Sequence, residues 1–193
     1  MRVSRRGGTV QTRGIAMDWM LMPLRRYADF SGRSRRTEFW MWVLFQFLIG
    51  FVFIILMMLL GGAALMSGDV GGAMAAGGIV VILYVLYILV GLAFFIPNLA
   101  VTIRRLHDTD RSGWWIMLFW GPYLVMLAST FLIGASAASG GDGMAGGALG
   151  LIASLALLVG ALVLLVFMFL EGTRGPNKYG PDPKGQDTGQ VFA

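Results

Sequence analysis

Four long apolar runs dominate the chain, at residues 39–60, 79–101, 114–133 and 149–170. A helix needs about 20 apolar residues to cross a bilayer, and each run supplies them. None of the four contains Asp, Glu, Lys or Arg. In hydrocarbon a segment must pair its own backbone groups, so the pattern predicts helices. Only Gln46, Asn98 and scattered hydroxyls interrupt the runs, and Pro97 breaks the second near its end. The expected fold class is therefore all-α, a polytopic four-helix transmembrane bundle.

The remaining segments divide by composition. Residues 1–16 are polar, Gly/Arg-rich and aperiodic, which predicts a disordered N-terminal extension. They read as an upstream extension with Met17 as the natural start, which N-terminal sequencing of protein from its native cell decides. Residues 17–38 form an interfacial amphipathic lead-in, 39–171 the four-helix membrane domain, and 172–193 a Gly/Pro-rich tail. The basic N-terminus has no apolar core followed by a small-residue cleavage site, so the first span is expected to act as an uncleaved anchor.

The polar positions predict a direction. All 15 Lys and Arg lie before the first run, between the second and third, or after the fourth. The loops at 61–78 and 134–148 carry only Asp69 and Asp142. The positive-inside rule then places both termini and the 102–113 loop in the cytoplasm. An even number of spans also requires both termini on one side. The net charge of +5 becomes a topology signal with attraction to anionic phospholipid headgroups, and nucleic acid is not expected as a partner. The expected location is the bacterial inner (plasma) membrane, multi-pass.

Composition narrows the chemistry. The chain is 57% hydrophobic and 13% charged, against about 25% charged in a soluble domain, so it could not cover a water-facing surface. With no cysteine and one histidine, disulfides, thiolate chemistry and multi-histidine zinc sites are excluded. No metal and no cofactor are expected. The two outer loops are Gly/Ala-rich and read as flexible connections or frayed helix ends. Gly141, Gly143 and Gly146 match GxGxxG, but no strand precedes them, so no nucleotide site is read there. Gly146/Gly150 and Ala156/Gly160 are small-xxx-small pairs that let helices approach closely.

Three polar blocks remain. In GRSRRTEFW (32–40), Gly32 permits a turn, and Arg33, Arg36 and Trp40 are spaced to share one helix face. Glu38 lies near the helix start, where a carboxylate is favoured. An arginine clamp for lipid phosphate competes here with a plain juxtamembrane anchor. In RRLHDTDRSGWW (104–115), the chain's one histidine, His107, stands with Arg104, Arg105, Asp108, Asp110, Arg111 and Ser112. His107, Asp108 and Ser112 carry the residue types of a triad, but nothing specifies an oxyanion hole. An arginine–aspartate network is the simpler reading, with Trp114 and Trp115, like Trp40, as interface anchors. In EGTRGPNKYGPDP (171–183), glycines and prolines set tight turns, and the tail is expected to fold back on the 102–113 loop. Glu171 is then expected to pair with Arg104 or Arg105.

The three blocks in this order, separated by apolar spans, resemble the YhaH-like family of small bacterial inner-membrane proteins, the domain-of-unknown-function 805 family. The resemblance runs from about Met17 to Pro183 and is most specific in RRLHDTDRSGWW. The length and glycine content of the outer loops depart from the family pattern. The resemblance implies a fold and a membrane location, and no reaction.

The leading expectation is a non-enzymatic membrane module whose basic face binds anionic lipid headgroups or a partner membrane protein. The binding candidates are Arg33, Arg36, Glu38, Arg104, Arg105, His107, Asp108, Asp110 and Arg111, with no catalytic residue assigned. A second copy of the chain is a further candidate partner. A small transporter or channel is the alternative, and a lipid-headgroup enzyme using residues 104–115 a further one. Transporters usually carry ionisable groups within their spans, which these runs lack.

Overall fold

A computed structural model of the chain describes residues 12–66 and 70–185. Their regular structure is helical, apart from one isolated bridge between Asn177 and Gly180. Helix α1 spans Thr12–Arg25, α2 Arg36–Met66 and α3 Val70–Asp108. A 3-10 turn at Gly113–Ile116 leads directly into α4, Met117–Ala138, and α5 spans Met144–Phe169. Four stretches are long and apolar enough to span a bilayer: Arg36–Gly62, Val70–Asp108, Gly113–Ala138 and Met144–Phe169.

These helices overrun the spans expected from the sequence. α2 and α3 take in most of the 61–78 loop, and α4 and α5 leave only 139–143 of the second. A glycine costs about 1 kcal/mol in a helix interior, yet a continuing helix keeps every backbone group paired, which matters more beside hydrocarbon. α3 likewise runs on to Asp108, so 109–112 is all that remains of the 102–113 loop. α1 starts at Thr12, inside the segment expected to be disordered, while residues 1–11 lie outside the described residues.

The fold divides into two compact units. The first comprises the chain up to Asp29 together with Thr37–Ala100. Aromatic side chains join α2 to α3 here: Trp42 meets Phe94 edge-on at 5.2 Å, and Phe53 lies 5.3 Å from Tyr87. Pro97 sits inside α3 and lacks the N–H that would bond the carbonyl of Ala93, four residues back. The Tyr27 hydroxyl donates to that carbonyl instead, at 2.7 Å. The kink-forming proline is thus tolerated because a side chain from outside the helix takes over the missing bond.

The second unit comprises Phe30–Arg36 and the chain from Val101 onward. Its apolar body is the α4–α5 pair. Buried Gly146, Ala153, Gly160, Leu164 and Met168 mark the face of α5 turned to α4. The backbones are close. A Cβ on Gly146 would lie 2.8 Å from Ile133, one on Gly150 would lie 2.8 Å from the Ser129 hydroxyl, and one on Gly160 would collide with the Leu118 carbonyl. Pro122 frees that carbonyl, since Leu118 stands four residues before it. Ala156 is exposed, so the sequence pairing with Gly160 is corrected to Ala153. Its three-residue and seven-residue offsets keep it on the helix face that Ala156 leaves.

Candidate functional site

The polar blocks of the second unit meet where two helices end. The last carbonyls of a helix have no partner within it and carry partial negative charge. At the end of α3, four carbonyls find donors from beyond the helix. Ser34 N–H donates to Arg104 O at 3.1 Å, Arg111 N–H to Leu106 O at 2.9 Å, and Thr173 N–H to Asp108 O at 2.8 Å. The Asn177 amide donates to His107 O at 2.9 Å. At the end of α5, the Arg36 guanidinium donates to Phe169 O at 3.2 Å, and Arg105 donates to the carbonyls of Met168 and Leu170. The carbonyls that end α3 are thus met by neutral N–H donors, and those that end α5 by two guanidiniums.

Asp108 joins Arg105 to Arg33. Its two oxygens receive Arg33 and Arg105 separately, with Arg33 Nε 3.0 Å from Oδ1 and Arg105 Nη1 on Oδ2. All three side chains are at most 6% exposed. Arg33 donates further to the carbonyls of Gly175, at 2.6 Å, and Thr173. Arg35 donates to the Pro183 carbonyl at 2.6 Å. A buried pair is better tolerated when its remaining donors are satisfied, and the Gly175 and Thr173 carbonyls do this for Arg33. The close approach needs Gly172, where a Cβ would run into the Asp108 carboxylate. Gly32, at φ 76°, makes the turn that carries Arg33 inward.

The tail folds into two tight turns. Asn177 and Gly180 exchange backbone bonds at 3.0 Å, and Asp182 accepts N–H donors from Lys184 at 2.8 Å and Gly175 at 3.3 Å. Loss of solvent pushes the Asp182 carboxyl upward, but those two N–H donors and the charges of Arg33 and Lys184 outweigh this and hold it below its ordinary range. The Tyr179 ring stacks on His107 at 3.8 Å, with the planes 5° apart. Residues 171–183 thus form a plug bonded to the last turn of α3.

Several sequence expectations change at this point. Arg33 is not helical, because α2 begins at Arg36, so Arg33, Arg36 and Trp40 do not share a helix face. Glu171 pairs with Arg36 at 2.7 Å, while Arg105 is occupied by Asp108 and the end of α5. The Asp108 carboxylate faces arginines, His107 Nδ1 faces the Gly32 carbonyl at 3.3 Å, and the Ser112 hydroxyl accepts the Trp114 N–H at 3.4 Å. The three triad residue types therefore point to different partners. Asp110, at φ 57°, lies out at the surface with Lys178 3.8 Å away. Among the described residues no three His, Asp or Glu side chains gather as metal ligands.

The candidates thus separate into frame and surface. Arg33, Arg105 and Asp108 form the buried frame, and Arg104 is buried on the same helix turn. Glu38 and Trp40 belong to the first unit, with Glu38 buried in the first turn of α2. Arg111 lies half-buried with its guanidinium 4.0 Å over the Phe167 ring, which Trp115 meets edge-on at 5.2 Å. Trp114 is 78% exposed. Sequence reasoning missed Arg35, Thr173, Asn177 and Gly172. Arg35 stood in the GRSRR block and the other three in GTRGPN, but backbone carbonyls as arginine partners leave no trace in residue types.

The profile of the family described as "Protein of unknown function (DUF805)" matches residues 27–181. The chain is 35% identical to inner membrane protein YhaI of Escherichia coli over 168 residues, covering 87% of this chain and 97% of the relative. It is 34% identical to inner membrane protein YhaH of the same organism, covering 87% and 98%. A partial match, 31% identical over 45% of this chain and 52% of the relative, is to the E. coli protein YiiR. No solved structure matches the chain significantly.

Proposed function

Since the chain belongs to the DUF805 family of membrane proteins, we propose that it is a multi-pass inner-membrane module whose arginine-rich end faces the cytoplasm and contacts anionic headgroups without catalysing a reaction. The observation that carries this reading is the division of cations. Arg33 and Arg105 are closed on internal partners, while Arg174, Lys178 and Lys184 stay exposed on the plug they hold. A fixed plug presenting surface cations suits a membrane surface, where each is worth about 1 kcal/mol of attraction to anionic lipid.

The orientation is testable because the chain has no cysteine. A single cysteine at Asp142 should react with an impermeant thiol reagent in intact cells, and one at Lys178 only after lysis; the reverse pattern would refute the orientation. For the headgroup contact, native mass spectrometry would compare retained phosphatidylglycerol and phosphatidylcholine. The triple variant R174E/K178E/K184E should lose the anionic preference at least roughly tenfold with unchanged melting. Equal retention of both lipids by the unaltered chain would refute the contact.

The transporter alternative rests on the Gln46 amide, which donates to Asn98 Oδ1 at 3.4 Å beside Pro97. It requires a liposome flux that Asn98→Ala abolishes.

A further inference from the structure

A cleft of about 400 Å³ opens beside the plug, between the last turn of α3 and the start of the Gly113–Ala138 helical stretch. Ile103, Ile116, Met117 and the exposed Trp114 indole give it apolar walls. Two polar groups face it, His107 and Ser112. Gly113 keeps the floor open: a Cβ there would lie 3.0 Å from Ile103 and 3.7 Å from His107 Nε2.

The hydrogen-bond character of both groups follows from their other partners. A carbonyl can only accept, so His107 Nδ1 carries the proton donated to Gly32 O. In the neutral ring Nε2 then holds a lone pair toward the cleft. The Ser112 oxygen accepts the Trp114 N–H, leaving the hydroxyl proton to donate. One acceptor and one donor in the same cleft complement an alcohol, which both donates and accepts. A cation stands nearby: Lys178 lies 5.1 Å from the centre of the Tyr179 ring stacked on His107, with Asp110 3.8 Å from its ammonium.

We propose that this cleft binds the glycerol headgroup of an anionic phospholipid, with a headgroup hydroxyl between His107 Nε2 and Ser112 Oγ and the phosphate toward Lys178. The apolar walls favour a lipid over a soluble glycerol phosphate, since Ile103, Ile116, Met117 and Trp114 offer a free polyol nothing. The inference rests on the headgroup reading above and adds to it the lipid class and the residues that select it.

The test is lipid-dependent melting of the full chain in detergent, with phosphatidylglycerol, phosphatidate, phosphatidylcholine and free glycerol phosphate as probes. Phosphatidate keeps the negative phosphate but has no headgroup hydroxyl. The concentration of phosphatidylglycerol giving half the full shift should be about five- to tenfold lower than that of phosphatidate, the effect of one or two neutral hydrogen bonds. His107→Phe, which keeps a ring to stack on Tyr179, should bring the two acidic lipids together. Ser112→Ala should do so in part, and it decides alone if the His107 variant does not fold. Equal half-points for the two acidic lipids in the unaltered chain would overturn the hydroxyl assignment while leaving the anionic reading intact. Phosphatidylcholine matching both would overturn the two readings together. Full stabilisation by free glycerol phosphate would assign a soluble ligand instead. A phosphatidylglycerol preference that survives Ser112→Ala unchanged would remove the site from this cleft.

Discussion

The second unit is held in two contrasting ways. The α4–α5 seam is steric: Gly146, Gly150 and Gly160 remove side chains so that backbones touch. The plug is electrostatic: Asp108, Arg33 and Arg105 are buried, and each is closed on a named partner. Lipid tails are as apolar as a helix surface, so close packing is the main resource inside the membrane-length stretch. At the end of the helices, exposed carbonyls and guanidiniums supply directional bonds instead. The seam should therefore fail when volume is added, and the plug when one charge is removed.

Removing a charge should have the largest effect. Asp108→Asn leaves two buried guanidiniums without a counter-charge and should cost about 3–5 kcal/mol in detergent unfolding. Asp110→Asn, at the surface, should stay within about 0.5 kcal/mol. Adding volume comes next. Gly160→Leu drives a side chain into the Leu118 carbonyl and should cost about 1–3 kcal/mol, read from the same unfolding curves. The first unit offers a sharper version of the contrast. Two prolines each free a carbonyl, and Gly160 packs against one where Tyr27 bonds the other. Tyr27→Phe should cost about 1–3 kcal/mol, because Ala93 O is then unpaired in a membrane-length helix.

Much of this contrast was legible in the chain, and its pairings were not. The four membrane-length helices follow from charge-free runs alone, as do the small residues of α5. The three polar blocks also stood out, because so few polar residues occur elsewhere. Their partners did not follow. Glu171 was expected on Arg104 or Arg105 and pairs with Arg36, because Arg105 is taken by Asp108 and by the last carbonyls of α5. Arg33 was placed on a helix it does not join, since a positive φ at Gly32 ends one local geometry before α2 begins. The Gly/Ala-rich loops read as flexible connections or frayed helix ends by composition, and continued backbone pairing keeps most of their described residues helical.

Two smaller effects bound the electrostatic side. The Arg36–Glu171 pair is 38% and 62% exposed, so Glu171→Ala should cost less than about 1 kcal/mol. Asp182 should give the weakest signal. Its folded-state pKa is depressed, so its contribution is present above the ordinary carboxylate range and is lost as acid carries the pH through the folded value. Asp182→Asn should flatten that acid limb of an unfolding profile and lower its neutral plateau slightly.

The claim that Asp108 locks the plug onto the end of α3 is tested most directly by limited trypsin digestion in detergent, followed by mass spectrometry at Arg174 and Lys178. The docked plug should resist cleavage at both positions in the unaltered chain and in Glu171→Ala. Asp108→Asn should be cut there at least ten times faster while α4 and α5 remain intact. Equal cleavage rates in Asp108→Asn and the unaltered chain would contradict the account.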